Sequence, residues 1–194
     1  DSAQGALPGQ VPWMQAITKD TDLKVAVAMA RGTGATAIKI YADLEPDLVA
    51  AIVAEAHRQG VPVWAHAMIF PTTPKEGVDA GVDVASHSCM LAYQASDVKP
   101  RAYHHRAPVD ETRFRDGDNP AVAEVLRDMK QRGVILDATD YVYVTIERLQ
   151  AKMGPNGPKG YCDSGLAEKI TAQAHREGVE ISVGTDSPSP AGEQ

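Results

Sequence analysis

The chain has 194 residues, 43% hydrophobic and 23% charged, and a formal net charge of -7, the make-up of a globular protein with enough apolar surface for a sizeable core. The acidic balance and the lack of any basic cluster exclude nucleic acid and anionic membrane as expected partners, since both need concentrated Lys and Arg. A small-molecule substrate or a protein is the expected partner, and no apolar run approaches the roughly 20 residues of a membrane span.

In chain order, the first segment, "DSAQGALPGQ", lacks the charged start and apolar centre of a signal peptide. That leaves the cytoplasm as the default compartment. The absence of an initiating Met suggests a processed or partial product. A helix is predicted over 22–31 and a strand over 37–41, the latter carrying Lys39 inside an apolar run. A buried ammonium without a partner costs several kcal/mol; Lys39 therefore either snorkels to solvent or has a chemical purpose. Next come a helix over 46–59 with Pro46 in its first turn, a strand over 62–66, a helix over 74–80 and a strand over 82–87. Pro120, behind the capping residue Asn119, opens a helix over 120–132, which is followed by a strand over 134–138, a helix over 165–177 and a strand over 181–185.

Four of these units share one grammar: "EAHRQGVPVWAH", "VDAGVDVASH", "DMKQRGVILDAT" and "AHREGVEISVGTD" each run helix, glycine, Val-rich strand. Glycine readily takes the left-handed conformation that ends a helix, and short Val-rich runs suit strands covered on both faces. Repeated units of this kind imply a parallel sheet with helical crossovers. Two segments break the rhythm. Residues 88–118 are far longer than a usual loop and follow a strand end, which reads as an active-site loop, and the Gly- and Pro-rich 153–164 reads as a surface loop or lid. Cys89 and Cys162 have neither framework number nor metal-site spacing and are expected to be two free thiols.

Polar residues recur at the ends of successive apolar runs: Lys39 in "AIKIY", His66 in "VWAHA", His87 in "VASHS" and Asp186 in "VGTDS". Two imidazoles, a carboxylate and a lysine at one mouth of a parallel sheet could form the shell of a divalent metal. Each alone also fits a hydrogen-bonded core residue or a turn cap. Tyr41, two residues after Lys39, shares its face. Arg101, His104, His105, Arg106 and Arg113, all in the long loop, are candidate substrate contacts, with surface solvation the expected role of most.

With these segments, above all "GATAIKIYADLEPDLVAAIVAEAHRQGVPVWAHA" and "REGVEISVGTDS", residues 23–187 resemble the amidohydrolase superfamily, in its imidazolonepropionase-like and Xaa-Pro or Xaa-Arg dipeptidase-like branch. The resemblance implies an α/β fold, a TIM (β/α)8 barrel of the metal-dependent hydrolase type. Here residues 1–194 would form part of one barrel domain, about strands four to eight. It further implies one or two zinc ions, or another divalent metal, with Lys39 as a bridging carbamate, His66 and His87 as ligands, and Asp186 as ligand and proton acceptor. Tyr41 would donate to an oxyanion or a substrate carboxylate. The expected activity is hydrolysis of a C–N bond in a dipeptide, N-acyl amino acid or cyclic amide by a metal-bridging hydroxide.

The family's His-x-His pair on strand one is not present, the histidines being 57, 66, 87, 104, 105 and 175, and the strand-one side and β-sandwich are not represented. The missing half of the barrel is thus expected from the same or another chain, homo-oligomer included. Two alternatives stay open: an ester, lactone or phosphotriester hydrolase using the same site, and an incomplete half barrel that acts only in binding or assembly.

Overall fold

The computed structural model describes residues 2–3, 14–115, 117–156 and 160–186. Ser187, at the end of the resembling stretch, and part of the 153–164 loop lie outside the described residues. The strands are β1 (Ser2–Ala3), β2 (Ile38–Ala42), β3 (Val63–His66), β4 (Val84–Ser86), β5 (Ile135–Asp137) and β6 (Ile181–Ser182). They form one sheet in the order β1-β2-β3-β4-β5-β6, with every neighbouring pair parallel. Between them run α1 (Leu23–Gly32), α2 (Pro46–Arg58), α3 (Pro74–Ala80), α4 (Pro120–Arg132), α5 (Asp140–Met153) and α6 (Ser164–Arg176). The helix and strand units read from the sequence are therefore present, and β1 and α5 are added to them. Among the described residues the sheet is open, with β1 and β6 at its edges.

Local chemistry explains the boundaries. Pro46, Pro74 and Pro120 occupy first turns, where a missing N–H leaves nothing unsatisfied. Asn119 caps α4 by accepting hydrogen bonds from Ala121 N and Val122 N at 3.0 and 3.4 Å, and Thr73 and Glu76 form a reciprocal capping box on α3. Gly81 and Gly133 end α3 and α4 with φ of 93° and 72°, a conformation in which a Cβ would crowd the backbone.

Strand alternation divides the sheet into two faces. Ile40, Ala65, Ala85 and Leu136 are buried against the helices, where Val49, Ile52 and Val53 of α2, Val125, Leu126 and Met129 of α4, and Leu166, Ala167 and Ile170 of α6 complete the core. The other face carries Lys39, Tyr41, Trp64, His66, Ser86 and Asp137, as the register shows: Lys39 pairs with Trp64, His66 with Ser86, and Ser86 with Asp137. No described helix is long and apolar enough to cross a membrane.

The long loop also differs from its sequence reading. Its first part, Ser88–Ala95, is a buried 3-10 helix lodged against α3, α4 and α6, so only the remainder is loop-like. The free-thiol expectation is corrected too: Cys89 and Cys162, 73 residues apart, are joined by a disulfide with Cα atoms 6.3 Å apart. The crossover returning to α6 creates that proximity, and no spacing in the sequence reveals it.

Candidate functional site

The Lys39 side chain is only partly exposed and lines the cavity on the face of the sheet opposite the helical core. Lys39 Nζ donates to Ser86 Oγ at 2.8 Å, and Ser86 Oγ donates to Asp137 Oδ2 at 3.2 Å. Burial lowers the Lys39 pKa to about 8, and the charges of Asp137 and Asp186 only partly oppose the shift. The question raised by this lysine is thus answered in part: it is not a solvated surface group. Its amine is held near the range where a neutral, nucleophilic form is populated.

His66 ends β3 and His87 immediately follows β4, their rings 4.6 Å apart. Both are buried, which drives both pKa values down; the nearby positive charges of Lys39 and Arg106 add to this, and His87 lies at about 3. Two neutral imidazoles result, the protonation state a metal ligand requires. His87 Nδ1 lies 2.8 Å from Thr139 Oγ1. His66 Nδ1 is buried without any hydrogen-bond partner, a state that normally calls for an explanation such as an unseen water or ion.

Asp186 lies four residues beyond β6, its Oδ2 3.8 Å from His87 Nδ1. Partial burial raises its pKa, Lys39 opposes that shift, and Asp137 adds to it. Tyr41 packs its ring 4.3 Å from that of His66 and donates to Tyr103 at 3.3 Å. Burial and that contact raise its pKa well above the usual phenol value.

Lys39, Tyr41, His66, His87 and Asp186 all line one cavity of about 520 Å³. His87 stands just past its strand rather than inside the predicted span 82–87, and β6 ends at Ser182, short of the predicted span 181–185, which leaves Asp186 four residues beyond it. Of the loop residues named as candidate contacts, only Arg106 lines this cavity. Arg101 and Arg113 pair on the surface with Glu45 and with Asp97 and Asp110, and His104 and His105 are exposed. The sequence reading passed over Ser86, Asp137 and Thr139, although "VILDAT" ends its strand as the other units do. It also passed over Tyr103, Tyr161 and the apolar wall from α5, for which no periodicity gives a signal.

No three described side chains among His, Cys, Asp and Glu are grouped closely enough to hold a metal ion. The potential donor set is two neutral imidazoles and Asp186, with Lys39 able to join as an anion only after carbamylation. The neutral rings and the orphaned His66 Nδ1 have the chemistry of ligands, but among the described residues they and Asp186 are not gathered into a metal-holding group.

The backbone around the cavity is unusual. Asp43, Phe70, His87, Thr139 and Asp186 adopt left-handed φ of 60°, 59°, 74°, 52° and 45°. Each lies within four residues of the C-terminal end of a strand.

No protein-family profile matches the chain, and no curated protein does. Solved structures do. The fold aligns with the ochratoxinase of A. niger at TM-score 0.56 and 21% identity, over 94% of this chain and 39% of that one. It aligns with a Xaa-Pro dipeptidase carrying methionine in its active site at TM-score 0.56 and 19% identity, over 93% of this chain and 41% of that one. An uncharacterised protein matches at TM-score 0.56 and 18% identity, over 89% and 39%. The chain shares its fold with part of each of these proteins. It spans about two fifths of their length.

Proposed function

We propose that this chain is the site-bearing part of a metal-dependent amidohydrolase that hydrolyses the C–N bond of a small substrate, such as a dipeptide, N-acyl amino acid or cyclic amide. The observation that carries this reading is the meeting of two neutral imidazoles, a lysine with pKa about 8 and the Asp186 carboxylate on one cavity. The fold shared with ochratoxinase and Xaa-Pro dipeptidase supports it. His66, His87, Asp186 and Lys39 as its carbamate would hold a divalent ion such as zinc. When bound, that ion supplies an acidified water and a Lewis acid for the scissile carbonyl.

The chain's own residues prepare the rest. Thr139 orients the His87 ring: with Nδ1–H donated to Thr139 Oγ1, Nε2 carries the lone pair. Ser86 and Asp137 position the Lys39 amine, which reacts with carbon dioxide to give a carbamate and one proton. Asp186, with its raised pKa, accepts a proton from the attacking water and delivers it to the leaving nitrogen. Tyr41 donates its hydroxyl hydrogen to the developing oxyanion.

The test is metal analysis of the full-length protein combined with turnover of a panel of dipeptides, N-acyl amino acids and cyclic amides. Near-stoichiometric metal and amide turnover, both lost in Lys39→Ala and His66→Ala, are expected. A metal-free protein with no turnover even after loading with zinc would overturn the reading. A half barrel acting only in binding or assembly is the second reading, favoured by the lack, among the described residues, of three His, Cys, Asp or Glu side chains grouped to hold a metal; ligand binding without turnover would support it.

A further inference from the structure

The proposed chemistry leaves one charge in the cavity without a task. Arg106 leaves the loop just after the 3-10 turn Tyr103–His105. Its guanidinium carbon lies 4.0 Å from the ring centre of Tyr103 and 4.6 Å from that of Tyr161. Stacking on aromatic faces holds a guanidinium in a fixed plane and leaves the donors on its edge available. Nη1 is engaged, donating to the Tyr103 carbonyl. Nε is buried and has no partner. The edge formed by Nε and Nη2 is the fork that matches a carboxylate with two parallel hydrogen bonds.

No carboxylate among the described residues pairs with this cation. Arg58, Arg101, Arg113, Arg127, Arg132 and Arg176 each have one, while Arg31, Arg115 and Arg148 are unpaired but exposed to water. Arg106 alone is half-buried and unpaired, a state with a desolvation cost that a bound anion would offset. The same cavity has an apolar wall of Met90, Val142, Ile146 and Leu149, the last three from α5. A ligand filling it would need both an anionic end and an apolar body.

We propose that Arg106 is the specificity-determining residue that binds the carboxylate of the substrate, so that the cavity selects amino acids or N-acyl amino acids with an apolar side chain over uncharged amides. The identity of the scissile bond rests on the amidohydrolase reading; the carboxylate site does not need it. The test compares equilibrium binding of N-acetyl-leucine and N-acetyl-leucinamide to the full-length protein by calorimetry, with chelator present so that neither hydrolysis nor a metal–carboxylate contact contributes. Wild type should bind the acid about 10- to 100-fold more tightly than the amide, the range for hydrogen bonds to charged groups. Arg106→Gln should abolish that preference, read as the ratio of acid to amide affinity within each protein. Arg106→Lys, which keeps the charge without the fork, should retain part of it.

A preference that persists in Arg106→Gln, no preference in wild type, or no binding of either ligand would overturn the proposal. Zinc-loaded wild type that turns over no amide yet keeps the acid preference would instead defeat the amidohydrolase reading alone. Amide turnover without any acid preference would defeat only the role of Arg106.

Discussion

Lowering the pH from 7 to 5 should destabilise the protein through His87. In the unfolded chain this imidazole takes up a proton near its ordinary value of 6.5, whereas in the fold it does so only near 3, because burial and then the charges of Lys39 and Arg106 disfavour the cation. Between those values the unfolded state binds more protons, so stability present above pH 6.5 is lost as pH falls. With those two values, the loss from His87 is about 2 kcal/mol by pH 5 and tends to about 5 kcal/mol well below pH 3. His66, shifted in the same direction, steepens the decline. The assay is urea unfolding at pH 7, 6 and 5 with chelator present, for wild type and His87→Asn. The variant loses a packed ring and its contact with Thr139, so its stability at pH 7 is not the readout. The difference in slope is. Identical dependence on pH in the two proteins would show that the ring is solvated or already charged in the fold, and the account of neutral imidazoles would fail.

Lys39→Met should retain the fold and gain stability at pH 7, since it removes a depressed amine from a buried position. Activity should fall by at least the roughly 10- to 100-fold seen when even outer metal-shell contacts are lost; thermal melts and turnover measured side by side check both. A Cβ at Gly184 would overlap Asp137 Oδ1 and lie 3.2 Å from Thr139 Cγ2. Gly184→Ala should therefore cost about 1–3 kcal/mol, as for overpacking, and lower kcat by displacing Asp137 or Asp186; an unchanged kcat would count against that placement. Thr139→Val should cost about 1–3 kcal/mol by stranding a buried imidazole nitrogen, with Thr139→Ser restoring most of it in denaturant titrations.

The fold was most legible where backbone chemistry is local. Helices α3 and α4 have the bounds read from the sequence because proline fixes their first turns and glycine their ends. Helix α5 escaped notice for the opposite reasons. It begins after Thr139 with no side-chain cap, and its pattern, "DYVYVTIERLQAKM", is rich in β-branched residues. Only Tyr143 on it is buried, since it walls a cavity instead of packing into the core, and its apolar stripe therefore lacks the period of a core helix. Lys39, His66, His87 and Asp186 could be picked out because they punctuate a repeated unit. Asp137 punctuates the same unit, and Ser86 stands directly before His87; their part shows only when register places Ser86 beside both His66 and Asp137. Arg106 was separable from its surface neighbours by tertiary stacking alone.

The left-handed residues around the cavity bear on how this protein can evolve. Helix ends on the opposite side of the sheet use glycine, which enters that conformation at little cost, whereas His87, Thr139 and Asp186 pay roughly 1–3 kcal/mol each to hold it. Glycine at any of those three positions would relieve the strain and delete, in one step, a side chain of the proposed site or its support. Relief of strain at these positions is therefore set against the contacts their side chains make, such as that between His87 and Thr139. A lineage that keeps these three side chains under heat stress must find compensation elsewhere, in the helices and their caps.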